Sequence, residues 1–381
     1  MKVMIVVTHL LGTGHLTRAL TLGAAFQDAG HRTVIVSGGM PTAHKHTGAS
    51  AFVQLPPVRS DGTDFTRLID DKGEVATDVY LTARQNQLNS LLRQEQPDAL
   101  ITELFPFGRR ILKVEFLSLL EHAKTLPKPP KVFSSIRDIL APPSKASKAT
   151  FADTTVAAWY DAVLVHADRN MTPLNLSWPV SERLEPTLRY TGFVAPPPAP
   201  PHPDHLGAGE VLVTAGGGDV GMALFNCAKA AAAQDDARQW RLLVGGQHAT
   251  ENCELLNRDA PANMQAEPAR PEFRSMLRHA AASVSMCGYN TALDLLQTTC
   301  PAVFVPFDEG NEVEQGIRAQ ALARQPGIEM LRSSEMTAGT LLTAINLAIS
   351  VPREVADGAF AQGAQRTVEI VAEVCGASHA G

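Results

Sequence analysis

Short, continuously apolar runs recur along this chain, and stretches with helical periodicity separate them. A strand that is apolar at every position is buried on both faces, which happens in parallel sheets covered by helices. The alternation therefore predicts an α/β protein with parallel sheets. The predicted strands are residues 3–7, 33–37, 51–54, 99–102, 132–135 and 162–166 in the first half, and 210–214, 241–244, 282–285 and 302–306 in the second.

A proline-rich segment divides the chain. Because 381 residues are too many for one ordinary core, two domains are expected. Proline dominates residues 195–203, and such a segment forms a semi-rigid spacer. We predict a first domain at 1–194, a linker at 195–206, a second domain at 207–352 and a helical segment at 353–381. This last segment either crosses back to the first domain or caps the second.

Composition narrows the class of protein. The net charge of −6 argues against a nucleic-acid partner, because nucleic-acid binders are usually basic. None of the five cysteines forms a CxxC pair, so we expect no disulfide framework and no zinc site, and a reducing cytoplasm fits best. The first strand follows Met1-Lys2 directly, which predicts no secretory signal, and no apolar run reaches the ~18 residues that span a bilayer.

A glycine loop follows the first strand and leads into a helix. Gly12, Thr13 and Gly14 let the backbone approach a ligand, and N–H groups at the start of the helix can hold an anion or a polarised oxygen. His15 stands at the helix start, where the helix dipole favours the neutral imidazole that a general base requires. The alternative is that His15 is a structural N-terminal residue. Arg18 either binds an acceptor or phosphate group or pairs with a surface acid.

Glu103 ends the predicted strand 99–102, in the first half of the chain. A carboxylate at a strand end is placed either to orient His15 or to bind an acceptor hydroxyl. The alternative, equally weighted, is an ion pair with Arg109 or Arg110. Glu103 is therefore the second candidate catalytic residue.

Three glycines, Gly216, Gly217 and Gly218, follow the first strand of the second half. Successive glycines can form a hollow lined by N–H groups that holds phosphate. Arg270 is the cation expected to approach this hollow from the other side. The alternative is a flexible turn in which Asp219 caps the next helix.

Polar residues also follow the last two predicted strands, 282–285 and 302–306. Nucleotides bind at the carboxyl ends of such strands in open α/β sheets, where a helix N-terminus suits a diphosphate and a carboxylate suits ribose hydroxyls. The candidate donor-binding residues here are Gly288, Tyr289, Asn290, Thr291, Asp294, Glu314 and Gln315.

This last segment resembles the donor-binding half of family 28 glycosyltransferases. Gly288, Thr291, Asp294 and Gln315 fall on the family's pattern, as does a strand that ends in Pro306. Two departures stand out: Cys287 replaces a serine or glycine, and Asp294 replaces the ribose-binding glutamate and is one methylene shorter. The nucleotide is therefore expected to sit differently.

The N-terminal loop carries a resemblance as well. Its glycines and His15 match the family 28 loop, while the Gly-His-x-x-Arg form of residues 14–18 also resembles UDP-sugar hydrolases of nonulosonic acid pathways. In both groups the histidine is taken as catalytic. Residues 106–110, 134–138 and 163–168 resemble a little-characterised branch of predicted bacterial glycosyltransferases, which extends the likeness over nearly the whole chain.

The resemblance implies the GT-B architecture, in which two Rossmann-like domains with parallel sheets face each other across a cleft. It implies an inverting, metal-independent glycosyltransferase in which His15 removes the acceptor proton. The donor, a UDP-linked sugar, is a co-substrate, and no cofactor is expected. The sequence contains no Asp-x-Asp motif, which fits a metal-independent reaction. The alternatives are a nucleotide-sugar hydrolase and a non-catalytic nucleotide-sugar-binding protein.

Basic and apolar residues alternate between Arg109 and Lys131. An amphipathic surface helix followed by a solvated loop is the favoured reading. The alternative is weak peripheral contact with anionic lipid at the inner face of a membrane. The acceptor stays unidentified, and no obligatory protein partner is expected.

Overall fold

The computed structural model describes residues 1–42, 50–61, 64–216, 220–308, 312–355 and 362–376. The chain divides into two units. The first contains Met1–Pro196 together with Ala359–Gly381, and the second contains Pro197–Gly358. Each unit is built around its own sheet.

The first unit holds a sheet that has seven strands within the described residues, in the order β3-β2-β1-β6-β7-β8-β9, and all its pairs are parallel. The strands of this unit are β1 (Lys2–Val7), β2 (Arg32–Ser37), β3 (Ala51–Gln54), β4 (Arg59–Asp61), β5 (Asp64–Ile69), β6 (Ala99–Glu103), β7 (Lys131–Arg137), β8 (Ala162–His166) and β9 (Leu188–Tyr190). Strands β4 and β5 form a separate antiparallel pair. The helices are α1 (Gly14–Asp28), α2 (Asp78–Glu95), α3 (Lys113–Lys124) and α4 (Ala146–Trp159).

The second unit holds a parallel sheet with six strands within the described residues, in the order β12-β11-β10-β13-β14-β15. Its strands are β10 (Glu210–Thr214), β11 (Gln239–Val244), β12 (Met264–Pro268), β13 (Ala282–Ser285), β14 (Ala302–Phe304) and β15 (Ile328–Met330). Its helices are α5 (Met222–Ala232), α6 (Ala249–Asn257), α7 (Phe273–Met276), α8 (Tyr289–Leu296), α9 (Glu314–Leu322) and α10 (Ala338–Ser350).

The last helix of the chain, α11 (Gly363–Val374), belongs to the first unit. Its residues Val368 and Val371 join the apolar core that includes Leu16 and Phe26 of α1. At Gly363 a Cβ would lie 2.5 Å from the carbonyl oxygens of Gly192 and Phe193, so the close approach of this helix to the end of the N-terminal segment requires a glycine.

The predicted α/β class with parallel sheets is confirmed. Every predicted strand is present, although β14 ends at Phe304 rather than at residue 306. Proline at position 306 has no N–H group for the ladder, which explains the early end. The sequence reading missed the hairpin β4–β5 and the strands β9, β12 and β15. Of these, β9 and β15 have three residues each, too few to show a periodic pattern.

Both sheets reverse their strand order at one point, and nucleotide-binding crevices form outside the carboxyl ends of strands at such points. In the first unit the reversal lies between β1 and β6, and in the second it lies between β10 and β13. The loop carrying His15 therefore lies beside the end of β6, which is Glu103. Likewise, Gly216 after β10 lies beside Gly288 after β13.

Candidate active site

His15 and Glu103 are in direct contact. His15 is the second residue of α1, and its Nδ1 lies 2.8 Å from Oε1 of Glu103, the last residue of β6. The Glu103 side chain is buried, whereas 14% of the His15 side chain stays exposed. Arg18, one turn further along α1, donates to the same carboxylate oxygen. The structure thus brings together the two residues predicted to be catalytic.

The charges in this cluster fix the tautomer of His15. Burial alone would raise the pKa of Glu103, but the charge of Arg18 and the hydrogen bond from His15 lower it overall, so the carboxylate is ionised. An ionised carboxylate only accepts hydrogen bonds, so the 2.8 Å contact assigns the proton of His15 to Nδ1. Arg18 Nη2 also lies 3.0 Å from this Nδ1, and it directs its own hydrogens to the carboxylate instead. Burial is the largest influence on His15 and lowers its pKa. The hydrogen bond to Glu103 raises the pKa, but by less, so the ring is neutral. Nε2 is left with its lone pair, as a base requires.

Arg18 has neither of the two surroundings expected for it. It is 4% exposed, so it neither presents its guanidinium to an acceptor nor pairs with a surface acid. Its partner is the buried Glu103, whose charge it balances. The sequence signal was the Gly-His-x-x-Arg spacing, because positions three apart lie on one face of a helix and reach the same partner.

The glycine loop before α1 is open. Gly12 and Gly14 are exposed, and a Cβ built on either would meet no described atom within 4 Å. Thr13 precedes the helix, and its side chain makes no capping hydrogen bond. N–H groups in the first turn of a helix have no partner within the helix. In α1 the Thr13 side chain does not supply one either.

In the second unit, Gly216 has φ +84° and its N–H donates to Thr214 Oγ1 at 3.2 Å. Left-handed backbone of this kind favours glycine. The predicted phosphate ligands Gly217 and Gly218, and the alternative cap Asp219, lie outside the described residues, as does Asn311 of the loop before α9.

Gly288 is the residue that caps α8, and Tyr289, Asn290 and Thr291 form the first turn of the helix. Glycine brings no side-chain acceptor, and the helix shows no side-chain capping bond. The N-terminal N–H groups of α8 therefore face a position where an anion would be stabilised.

Asp294, the predicted ribose ligand, is held by an arginine that the sequence reading missed. Arg274 Nε donates to Oδ1 of Asp294 at 2.7 Å, and Arg274 Nη2 donates to Gln297 Oε1 at 3.3 Å. Burial raises the pKa of Asp294 to about 6, against the opposing charge of Arg274. One carboxylate oxygen is thus occupied within the protein.

Arg270 is also engaged. Its guanidinium donates two hydrogen bonds of 2.7 Å to the carboxylate of Glu267, which accepts a third, of 3.0 Å, from Arg241. The fork geometry makes this a strong pairing. Arg270 is thus paired with Glu267 in this structure, and its expected role as the phosphate cation stays a prediction.

Helix α9 is bonded to the loop after β14 and to the start of α8. Gln315 Oε1 accepts from the N–H of Phe307 at 3.2 Å, and Glu314 N–H donates to Glu312 Oε1 at 2.7 Å. Arg318, three residues after Gln315, donates to the carbonyl of Cys287 at 2.9 Å, and its guanidinium lies 5.8 Å from the centre of the Tyr289 ring. The sequence reading missed Arg318, although the spacing on α9 could have indicated it.

Within the described ranges, none of the helices combines the length and apolar character that crossing a membrane demands. In that same part of the chain, no cluster of three or more His, Cys, Asp or Glu side chains is arranged to hold a metal ion.

Part of the chain is similar to a known family. Residues 211–370 match the family described as the glycosyltransferase family 28 C-terminal domain. No match was found among curated protein sequences.

Solved structures named as glycosyltransferases are among those similar over nearly the whole chain. Acinetobacter baumannii MurG is 17% identical with a TM-score of 0.62, covering 98% of this chain and 99% of its own. The spinosyn rhamnosyltransferase SpnG, complexed with thymidine diphosphate, is 16% identical with a TM-score of 0.60, covering 98% and 96%. VinC, in complex with DTDP, is 16% identical with a TM-score of 0.58, covering 99% and 100%. At these identities the likeness establishes a shared fold.

Proposed function

We propose that this chain, a glycosyltransferase of the GT-B fold that carries a family 28 C-terminal domain, transfers a sugar from a UDP-linked donor to an acceptor hydroxyl with inversion and without a metal ion. The observation that carries this proposal is the 2.8 Å contact between His15 Nδ1 and Glu103 Oε1 at the strand-order reversal of the first sheet. A neutral histidine with its proton held on Nδ1 by a carboxylate is a general base whose Nε2 accepts a proton.

In the proposed reaction the acceptor oxygen forms a bond to the anomeric carbon while its proton moves to His15 Nε2. The bond between the anomeric carbon and the diphosphate oxygen breaks, and the nucleoside diphosphate leaves with the electron pair. A single displacement of this kind inverts the anomeric centre. Glu103 stabilises the imidazolium that forms, as the carboxylate does in a hydrolase triad.

The leaving diphosphate needs stabilisation as its charge grows. The first turn of α8, at Gly288 to Thr291, offers N–H groups, and its capping residue Gly288 has no side-chain acceptor for them. Preorganised donors of this kind lower the energy of a developing anion. Gly216 and Arg318 support the site by shaping the loops on either side of that turn, because Arg318 holds the Cys287 carbonyl immediately before it.

Asp294 is the residue that we propose to bind the ribose of the nucleotide. Its carboxylate occupies the family 28 position for a ribose ligand, and Arg274 engages its Oδ1. Oδ2 is then the oxygen proposed to accept a ribose hydroxyl. Two of the similar structures are complexes with thymidine diphosphate, so the thymidine nucleotides are the competitors to test against UDP. We also propose a cytoplasmic location, since the five cysteines are all free thiols.

Release of the nucleoside diphosphate tests the proposal. Thermal shifts with UDP, dTDP, ADP and GDP first identify the nucleotide, because a ligand that binds the folded state raises its apparent stability. UDP-glucose, UDP-N-acetylglucosamine and dTDP-glucose are then incubated with the protein, with and without a panel of hydroxyl acceptors. Product anomers are assigned by proton NMR. Stabilisation by UDP, and acceptor-dependent release of UDP with an inverted product, support the proposal.

The same assay separates the alternatives. Rapid, stoichiometric release of free sugar without acceptor identifies a nucleotide-sugar hydrolase. Tight binding of a nucleotide-sugar without any turnover identifies a binding protein. A product that retains the anomeric configuration contradicts the single displacement.

A further inference from the structure

Beyond Glu103, a line of buried polar side chains continues across the sheet of the first unit. Ser135 Oγ lies 2.6 Å from Oε2 of Glu103 and 3.0 Å from Nε2 of His166, whose Nδ1 lies 2.9 Å from Thr191 Oγ1. Ser135 and His166 are both 0% exposed, and Thr191 is 4% exposed. Buried polar groups need partners, and here each member supplies the next.

The hydrogen atoms in this line can be assigned. Glu103 is ionised and only accepts, so the Ser135 hydroxyl donates to it across 2.6 Å. Ser135 then accepts from His166, and the proton of His166 lies on Nε2. Burial lowers the pKa of His166, so its ring is neutral and carries one proton. With that proton on Nε2, Nδ1 can only accept from the Thr191 hydroxyl, whose single hydrogen also faces the carbonyl oxygen of Gly192 at 2.7 Å. In this arrangement the bonds from His166 and Ser135 point towards the Glu103 carboxylate.

We propose that Ser135 and His166 are positioning residues for His15, which act by holding the second oxygen of Glu103 so that the first faces the imidazole. The inference rests on the proposed function of His15 as the base. The terminal torsion of a glutamate is broad, so a carboxylate held at one oxygen alone rotates easily. Ser135 binds Oε2, while His15 and Arg18 bind Oε1. Because both oxygens are held, the plane of the carboxylate is fixed.

The backbone places these groups with little freedom. Glu103 pairs with Ser135 in the register between β6 and β7, and His166 ends β8, the next strand of the parallel sheet. Side chains on adjacent strands of a sheet are held more accurately than side chains on loops. The line of hydrogen bonds is thus a consequence of strand register, and no loop has to move to form it.

The chain offers a matched control in Ser134. It precedes Ser135 on β7, is equally buried at 0% exposed, and its hydroxyl donates to the carbonyl of Phe105 at 2.8 Å. Ser134→Ala removes a buried hydroxyl of the same strand without touching Glu103. His166→Gln offers a conservative variant, because its amide can donate where Nε2 does, whereas His166→Phe cannot donate.

The first measurement uses the free protein and no substrate. Nitrogen NMR of protein labelled with ¹⁵N-histidine reports which ring nitrogen carries the proton. We expect the Nδ1–H form of His15 and the Nε2–H form of His166 in the unmodified protein at pH 7.5. Ser135→Ala and His166→Phe should shift His15 towards a mixture of tautomers, while Ser134→Ala and His166→Gln should leave it unchanged.

The second measurement is the rate of nucleotide-sugar turnover. UDP-glucose, UDP-N-acetylglucosamine and dTDP-glucose are compared first, and the one from which the nucleoside diphosphate is released fastest is the substrate. Ser135→Ala should lower kcat by roughly 10-fold to 100-fold, the range seen for outer partners that orient a histidine, with KM for the donor unchanged. The acid limb of its pH profile should move to higher pH, because a carboxylate that loses a hydrogen bond attracts the imidazolium proton more strongly.

Two results overturn the inference. One is an Nδ1–H form of His166, which reverses the direction of the bonds. The other is a His15 tautomer and a kcat in Ser135→Ala that match those of Ser134→Ala. If His15→Ala itself keeps normal turnover, the proposed base is wrong, but the tautomer measurement still decides whether Ser135 and His166 orient the ring.

Discussion

At the scale of single residues, the protein separates the charge states of two neighbouring groups. Burial lowers the pKa of His15, and the charge of Arg18 helps to keep the Glu103 carboxylate ionised although burial opposes this. One group is then a neutral base and the other a fixed anion. These two charge states depend on three side chains, His15 and Arg18 of α1 and Glu103 of β6.

Replacing His15 should remove the base. His15→Ala and His15→Asn should both lower kcat by roughly 10²–10⁴-fold, the usual contribution of general-base catalysis. The affinity for UDP should barely change, and the acid limb of the wild-type profile should lie below the ordinary imidazole pKa, because activity is lost only when the ring is protonated. Steady-state kinetics at several pH values measure kcat and its acid limb, and calorimetry measures the affinity for UDP. His248→Ala, at an exposed position, is the control. A His15 variant with normal turnover and weak UDP binding would instead make His15 a donor ligand.

Asp294 should contribute to the affinity for UDP through the ribose, a sugar that UDP shares with ADP and GDP. We expect UDP to bind more tightly than ADP or GDP, and Asp294→Asn to weaken UDP about 10-fold, because one hydrogen bond to a charged group is lost. Arg274 keeps an acceptor in this variant. Since the pKa of Asp294 is raised to about 6, UDP affinity should also fall as the pH drops through that value in the wild type. Calorimetry at pH 5 and pH 7.5 tests this, and equal affinity for all three nucleotides would contradict it.

At the scale of elements, one buried arginine joins the ends of several strands of the first sheet. Arg84 of α2 is 0% exposed and forms an ion pair with Glu115 of α3 at 2.6 Å. It also donates to the carbonyl of Gly38 after β2 at 2.7 Å and to the hydroxyl of Thr8 after β1 at 2.9 Å. A Cβ on Gly38 would lie 1.9 Å from the Arg84 guanidinium, so this glycine makes room for it.

Removing Arg84 should destabilise the first unit strongly. Arg84→Met leaves Glu115 buried without its partner, and breaking a buried ion pair in this way costs about 3–5 kcal/mol of the free energy of unfolding. Urea titration followed by fluorescence measures the change. Arg93→Met, at an exposed position of the same helix, is the control and should change stability by less than about 0.5 kcal/mol. Similar stabilities of the two variants would show that the Arg84 network contributes little.

At the scale of the whole molecule, the proposed reaction uses His15 as the base and N–H groups at a helix end, instead of a metal ion, to stabilise the leaving diphosphate. We therefore expect turnover of the nucleotide-sugar to persist in excess EDTA at a rate within about twofold of that in magnesium, as preorganised N–H donors can stabilise the leaving group. The test is the rate of diphosphate release after dialysis against chelator. Complete loss of turnover that magnesium or manganese restores would refute the proposed leaving-group chemistry.

Stability should fall in mild acid. Burial lowers the pKa of His9, His15 and His166 below the ordinary 6.5, so below that pH the unfolded chain binds more protons than the folded one. Stability then rises with pH through this range. Asp294, whose pKa is raised, acts in the opposite direction between its ordinary value and about 6, but it is one group against three. Urea midpoints at pH 7.5, 6.5 and 5.5 test this, and a flat profile would show that the histidines are protonated in the folded state.

The sequence alone predicted much of the fold and part of the candidate site. The continuous apolar runs predicted the parallel strands, and the polar residues at their ends predicted which side chains gather, because parallel strands end at one edge of a sheet. His15 and Glu103 were named together for this reason. The short strands β9 and β15 were missed because three residues carry no readable period.

The pairing of charges had to come from the tertiary structure. Sequence left Glu103 open between His15 and Arg109 or Arg110, and assigned Arg270 to a phosphate, because a sequence does not say which of several nearby ions a side chain reaches. Strand register and helix packing place Glu103 against His15, Arg18 and Ser135, and place Arg270 against Glu267. The local pattern therefore determined the fold class and the residue types at the strand ends. The charge partners were decided by packing, both for Arg270 and Glu267, close in sequence, and for His15 and Glu103, far apart.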